Sequence, residues 1–143
     1  MTRLSLYQPD MAGNVGAIMR LCACMGVALD IIEPCGFPWN EKKIKSSALD
    51  YWDHIDYTRH IDWTTFRQTY KDRRLVLMTT KSDVAYTDFD FQADDILLAG
   101  SESLGVPDMV HKAVDAHVTI PMTGTMRSLN IGCLLYTSDA ADE

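Results

Sequence analysis

The segment 97–107, LLAGSESLGVP, begins as an apolar β-strand and continues into a turn that contains Gly100 and Gly105. Glycine adopts backbone conformations that are closed to other residues, so such a turn brings main-chain groups close to one another or to a ligand. The turn also carries one carboxylate, Glu102, which can accept hydrogen bonds from backbone amides or orient a neighbouring group. The segment predicts a strand that ends at a ligand-binding turn; an exposed strand-to-helix connection is the alternative.

Apolar segments of strand length alternate with helical patterns along the rest of the chain. The strand-like segments are RLSLY (3–7), ALDII (28–32), RLVLMTT (74–80), DILLAG (95–100) and HVTIP (117–121), with a weaker one at HIDYT (54–58). This alternation is typical of a parallel sheet with helices on its faces. The predicted fold class is therefore α/β, with a mostly parallel sheet flanked by helices.

Three helices are predicted between these strands. The segments 62–71 and 106–114 are two of them. In the first helix, Asn14 is expected to cap the amino end and Gly26 to end the helix. Its apolar face is predicted from residues at i, i+3 and i+4 spacing, namely Val15, Ile18, Met19, Cys22 and Met25.

Composition limits the domain count and the location. A chain of 143 residues that is 47% apolar is long enough for one domain with a core, and we assign it to residues 1–132. Residues 133–143, CLLYTSDAADE, supply little apolar surface and are expected to be a truncated or foreign tail. No apolar stretch approaches the roughly 18 to 20 residues of a membrane span. The amino-terminal residues lack a signal-peptide core, so we expect a cytoplasmic protein without membrane association.

The charge distribution restricts nucleic-acid binding to local patches. A formal net charge of -7 argues against non-specific binding of phosphates across the whole surface. Two groups of cations are candidate patches, and a solvated face is the alternative for each. The first group is Lys42, Lys43 and Lys45, and the second is Arg59, His60, Arg67, Lys71, Arg73 and Arg74.

The four cysteines include no C-x-x-C pair. Cys22 and Cys24 would point to different sides of a helix, because two positions turn the side chain by roughly 200°. We therefore expect core or half-buried thiols, with no metal site and no disulfide.

Two further segments carry residues suited to chemistry. In PDMAGNVGAIMRLCACMG (9–26), Arg20 lies off the apolar helix face and is either a surface charge or a fixed cation for a phosphate or a developing oxyanion. In IPMTGTMRSLNIG (120–132), a strand ends at Pro121 and a helix opens near Ser128. The free amides of that helix favour polar or anionic ligand groups, and a plain N-cap at Ser128 is the alternative.

The three segments resemble, in order and position, the three motifs of the SPOUT superfamily of S-adenosylmethionine-dependent RNA methyltransferases. NVGAIMRLCACMG (14–26), LLAGSESLGVP and IPMTGTMRSLN (120–130) are similar to the motifs of its small single-domain branch, which 2'-O-methylates the wobble cytidine or uridine of tRNA. IIEPCGFPW and LDYWDH resemble intervening segments of that branch. The tyrosine that the family carries downstream of the serine has no counterpart, because position 140 is alanine and Tyr136 is out of register.

The resemblance implies a C-terminal trefoil knot, a homodimer with the active site near the subunit interface, S-adenosylmethionine as cofactor and tRNA as substrate. It makes Arg20 and Asn14 the catalytic candidates, Arg20 for stabilising the developing charge and Asn14 for orienting the loop or the substrate. The implied cofactor-binding residues are Met78, Thr79, Thr80, Gly100, Glu102, Gly105, Ile120, Met122, Ser128, Leu129 and Asn130. The candidate RNA-binding residues are Lys42, Lys43, Lys45, Arg59 and Arg127.

Two alternatives to a methyltransferase remain open from the residues. A nucleotide-dependent oxidoreductase on a Rossmann-like sheet lacks its G-x-G-x-x-G pattern here, and only Glu33 weakly offers the acidic residue after strand two. A catalytically inert RNA-binding module is the other alternative.

Overall fold

Strands and helices alternate along the chain in the computed structural model, which describes residues 3–48, 54–79, 84, 89–101 and 104–119. The elements are β1 (Arg3–Tyr7), α1 (Ala12–Met25), β2 (Ala28–Ile32), α2 (Glu41–Ala48), β3 (Tyr57–His60), α3 (Trp63–Thr69), β4 (Leu75–Met78), β5 (Ile96–Ala99), α4 (Asp108–Ala113) and β6 (Ala116–Val118). Five strands overlap the apolar segments closely, and β3 begins three residues later than the weaker segment HIDYT.

The six strands form one sheet in the order β3-β2-β1-β5-β4-β6. Every neighbouring pair is parallel, so all carboxyl ends lie at one edge. This arrangement confirms the predicted α/β class with a mostly parallel sheet. The trefoil knot implied by the resemblance falls on residues outside the described ranges.

Helices cover both faces of the sheet. One apolar cluster joins α1 and α2 to alternate strand residues, with Val15, Met19 and Ile44 packed on the face that presents Leu4 and Leu29. The second cluster joins α3 and α4 to the other face, through side chains that include Trp63, Phe66, Val110, Leu77 and Leu98. Because both faces are covered, the strand sequences are nearly continuous in apolar residues and do not alternate between apolar and polar residues. None of the helices in the described ranges is long and apolar enough to cross a membrane.

Helix α1 ends where the sequence predicted but begins earlier. Gly26 adopts a left-handed conformation (φ 67°) and its N–H donates to the Ala23 carbonyl, which confirms it as the helix end. The prediction that Asn14 caps the helix is wrong. The backbone N–H of Val15 already donates to the carbonyl of Met11, so the cap position falls on Met11 and Asn14 lies inside the first turn.

Helix α2 was not predicted as a helix. Within the part of this helix whose side chains are described, only Ile44 is fully buried, and one apolar residue among charges gives no period. Asn40 supplies the start signal, because its Oδ1 accepts a hydrogen bond of 3.0 Å from the Lys42 backbone N–H. The packing of Ile44 against the α1 layer then decides the conformation.

Two surface predictions are wrong. His60, which was grouped with the solvated cations, is only 5% exposed because its ring packs edge-on against Phe66 and lies beside a buried carboxylate. Cys24 is exposed, whereas all four thiols were expected in the core or half-buried, because it lies on the side of α1 away from the buried Cys22.

The buried carboxylate is Asp30, which lies inside β2 with no exposed surface. Arg3 donates to it from Nε and Nη2 at 2.8 and 3.0 Å, and the Tyr70 hydroxyl donates at 2.9 Å. His60 Nε2 lies 2.9 Å from the same carboxylate. The hydrogen bond from Arg3 to Asp30 raises the pKa of the Arg3 guanidinium. Burial is the main cause that raises the pKa of the Tyr70 hydroxyl to about 12. Asp30 therefore ties β1, β2, β3 and the end of α3 into one unit.

Candidate active site

The order of the strands creates a crevice between β1 and β5. From β1 the chain runs through α1 to β2, toward the β3 edge of the sheet. From β5 it runs through α4 to β6, at the opposite edge. Open parallel sheets bind ligands at such a reversal, outside the carboxyl ends of the strands. Leu6 is paired with both Ile31 and Ala99, so the loops that follow β1, β2 and β5 meet at this point.

The glycine turn after β5 lies at this crevice and is tightly closed. Ser101 and Gly105 exchange two backbone hydrogen bonds of 2.9 Å, and Gly105 has a φ of 66°. A Cβ on Gly100 would lie 2.6 Å from the carbonyl carbon of Gly105, so no side chain fits between the two residues. The predicted tight turn is therefore present, with the main chains of Gly100 and Gly105 in direct contact. Glu102 lies outside the described residues.

Met78 and Thr79 reach the same edge from β4. Met78 pairs with Ala99 on one side and with Val118 on the other, and the Thr79 N–H donates to the Val118 carbonyl at 2.9 Å. The described part of the predicted cofactor site thus comes together at the ends of β4, β5 and β6. The other residues assigned to it lie outside the described ranges, namely Thr80, Glu102, Ile120, Met122, Ser128, Leu129 and Asn130.

A cleft of about 370 Å³ opens on the β1 side of the glycine turn. Three loops line it, from the ends of β1, β2 and β5. The lining residues are Tyr7, Gln8, Asp10, Pro34, Cys35, Gly36, Ser101, Leu104, Gly105, Val106 and Pro107. Of these, only Gly105 was predicted from the sequence as a site residue. The available signal was the position of Pro9 and Pro34, each two residues after an apolar strand, which marks loops at a sheet edge.

The two catalytic candidates lie on α1, outside the lining of this cleft. Arg20 is on the exposed face of the helix, as predicted from its position off the apolar stripe. Asn14 is half-buried, and its Nδ2 lies 3.5 Å from the Met11 sulfur. Arg20 is therefore exposed on a helix whose other face is fixed in the core.

The candidate RNA-binding cations lie on the β2–β3 side of the sheet. Lys42, Lys43 and Lys45 are exposed on α2. Arg59 lies 2.6 Å from Glu33 and stacks over the Trp39 ring at 4.3 Å from its centroid. Glu33 is thus engaged by a cation, which weakens the oxidoreductase alternative that needed its carboxylate for a ribose. Arg127 lies outside the described residues.

Known proteins match this chain over nearly its whole length. Residues 1–133 match the SpoU rRNA Methylase family. A tRNA (cytidine(34)-2'-O)-methyltransferase of Beijerinckia indica is 51% identical over 130 residues, which are 90% of this chain and 81% of the relative. The enzyme of the same name from Escherichia coli K12 is 38% identical over 133 residues, 92% of this chain and 85% of the relative.

The fold has a solved counterpart as well. A structure described as giving insights into the 2-OH methylation of C/U34 on tRNA superposes with a TM-score of 0.88 at 30% identity, and the match covers 99% of this chain and 95% of that one. These matches confirm the resemblance inferred from the three motifs. The chain belongs to the SpoU rRNA methylase family.

Proposed function

We propose that this protein is a methyltransferase that uses S-adenosylmethionine to methylate the 2'-hydroxyl of the wobble nucleotide of tRNA. The observation that carries the proposal is the closed glycine turn at the sheet reversal, next to the end of β4, in a chain whose relatives carry that enzymatic name. We further propose that the protein works in the cytoplasm, as a homodimer and without a metal ion.

The described residues fit a cofactor that is held mainly by backbone groups. Gly100 and Gly105 bring two main-chain segments together at the crevice without intervening side chains, and Met78 lies at the neighbouring strand end with Thr79 after it. Residues assigned from the motifs outside the described ranges would complete this site. They are Thr80, Glu102, Ile120, Met122, Ser128, Leu129 and Asn130. When bound, S-adenosylmethionine supplies an electrophilic methyl group on its sulfonium.

The residues of the chain have to position the ribose and to stabilise its charge. Transfer to a hydroxyl is an in-line displacement that needs the oxygen about 3 Å from the methyl carbon. The guanidinium of Arg20 stays protonated in a protein, so its role is to clamp a neighbouring phosphate and to stabilise negative charge that develops on the oxygen. Asn14, six residues earlier on α1, orients the loop or the substrate.

Binding of tRNA is assigned to the exposed cations. Lys42, Lys43 and Lys45 are exposed together on α2 and are the local basic group of a chain with a net charge of -7. Arg59 on β3, which is also paired with Glu33, and Arg127 from its motif are the other candidates. A homodimer would bring two such groups onto one RNA. Each phosphate contact releases counterions, so the logarithm of the affinity should fall with the logarithm of salt concentration by about 0.7 to 0.9 per contact.

Transfer of a tritiated methyl group from S-adenosylmethionine to bulk tRNA tests the proposal. We expect label in the RNA, and calorimetric titration should detect binding of S-adenosylmethionine but not of NAD. Retention of tRNA without any label would instead indicate the inert RNA-binding module. Binding of NAD in preference to S-adenosylmethionine would indicate the oxidoreductase.

A further inference from the structure

The cleft on the β1 side of the glycine turn overlaps little with the described residues that are assigned to the cofactor. Among Met78, Thr79, Gly100 and Gly105, only Gly105 lines it. The loop after β1 contributes two polar side-chain-bearing residues to the lining, Gln8 and Asp10, and the turn after β5 contributes Ser101. Because β1 and β5 are neighbours, a ligand in this cleft lies directly beside the closed turn.

Gln8 is held in an unusual conformation. Its φ is 42°, which makes it the sole residue other than glycine with a positive φ among those the structure describes. Side-chain-bearing residues rarely adopt this left-handed region, and they persist there when the surroundings over-determine the backbone. Here the Gln8 N–H donates to the Ile32 carbonyl at 2.9 Å, so the end of β2 fixes the backbone of a residue that lines the cleft.

The loop around Gln8 is pinned from the β2 side. The Gly36 N–H donates to the Pro9 carbonyl at 2.9 Å. A Cβ on Gly36 would lie 2.6 Å from Asp10 Cβ and 2.9 Å from Asp10 Cα, so the two loops are in direct backbone contact. The polar wall of the cleft is therefore preformed, as expected for a site that discriminates between ligands.

We propose that this cleft binds the base of the target nucleotide and that the Gln8 carboxamide recognises its Watson–Crick edge as a pyrimidine. This inference rests on the proposed function, and it assigns Gln8 the role of a specificity-determining residue. The cleft lies within the size range of small-molecule pockets, about 300 to 1,000 Å³.

The chemistry of a carboxamide suits two different pyrimidines. Cytosine presents an amino donor at N4 and an acceptor at N3, whereas uracil presents an acceptor at O4 and a donor at N3. An amide carries both an acceptor oxygen and a donor nitrogen, and rotation by half a turn exchanges them. Gln8 can therefore pair with either base, whereas a carboxylate at this position accepts only and would favour the amino group of cytosine.

The test compares Gln8→Glu and Gln8→Ala with wild type on two tRNA transcripts that differ only in having C34 or U34. Gln68→Glu, on the exposed face of α3, is the matched control. Both kcat/KM for methyl transfer and equilibrium binding of each transcript are measured. We expect Gln8→Glu to shift the ratio of kcat/KM for C34 to that for U34 about tenfold toward C34. Gln8→Ala should weaken the binding of both transcripts about tenfold without changing this ratio, because each loses one hydrogen-bonding side chain. Gln68→Glu should change neither quantity.

The titration of S-adenosylmethionine separates the cleft from the cofactor site. Its affinity should be the same in all variants, and a loss in both Gln8 variants would assign the cleft to the cofactor and overturn the inference. An unchanged C34-to-U34 ratio in Gln8→Glu, with both transcripts bound normally by Gln8→Ala, would also overturn it. If wild type transfers no methyl group, the proposed function fails, and the binding ratios still decide whether Gln8 recognises the base.

Discussion

Substitution of Gly100 by alanine should open the turn that follows β5. The added Cβ would lie 2.6, 2.8 and 2.9 Å from the carbonyl carbon, Cα and carbonyl oxygen of Gly105, and none of these atoms belongs to a flexible side chain. The two backbone hydrogen bonds between Ser101 and Gly105 would have to break. At about 1 kcal/mol each, their loss costs about 2 kcal/mol. If the cofactor requires the closed turn, this corresponds to an affinity about thirtyfold weaker.

Calorimetric titration with S-adenosylmethionine measures this loss, and Gly26→Ala is the control. Gly26 has a φ of 67°, close to that of Gly105, and no atom lies within 4 Å of a Cβ built on it. Its substitution should cost about 1 to 2 kcal/mol of stability through backbone strain at the end of α1 and leave the cofactor affinity unchanged. Wild-type affinity in folded Gly100→Ala would refute the assignment of this turn to the cofactor.

Three further predictions concern stability and RNA binding. Asp30→Ala leaves Arg3 and its partners without their buried acceptor, so urea unfolding should show a loss of about 3 to 5 kcal/mol. Burial raises the pKa of the Cys22 thiol from an ordinary 9.0 to about 12. As the pH rises, the unfolded chain therefore releases this proton before the folded chain does. The free energy of unfolding should fall between pH 9 and pH 10 by up to about 1.4 kcal/mol per pH unit. Cys22→Ala should remove this slope, and Cys24→Ala, which alters an exposed thiol, should not. Lys43→Ala should lower the slope of log affinity against log salt concentration for tRNA binding by about 0.7 to 0.9, and Lys112→Ala, on the exposed side of α4, should leave this slope unchanged.

Each of these predictions has a contrary result. A cost below about 1 kcal/mol for Asp30→Ala would mean that the network does not hold the strands together. An alkaline slope that survives Cys22→Ala would trace the proton release to another group. An equal reduction in salt dependence for the two lysine variants would mean that no local basic group exists.

The sheet was predictable because burial on both faces leaves a continuous apolar run in each strand. The position of Gly26 was predictable for a similarly local reason, since only a left-handed residue ends α1 there. Helix α2 escaped prediction because its conformation depends on a single buried side chain, Ile44, and on packing across the layer. Asp30 was a visible signal, a carboxylate inside an apolar strand, whose partners lie far away in the sequence.

The candidate site was predictable only in part. The glycine turn is encoded within one short segment, and its closed geometry follows from the residues themselves. The cleft beside it is formed by three loops that become neighbours through the strand order, with β1 between β2 and β5. No local pattern specifies that order, so Gln8 and Gly36 could not be assigned to a site before the topology was known.

Digestion of methylated tRNA followed by mass spectrometry tests the central claim most directly. Wild type should place one methyl group on the ribose 2'-oxygen of nucleotide 34. Arg20→Ala should place almost none while binding S-adenosylmethionine as wild type does, and Lys112→Ala, which removes an exposed cation from α4, should retain full transfer. A methyl group on a base or at another position, or normal transfer by Arg20→Ala, would contradict the account.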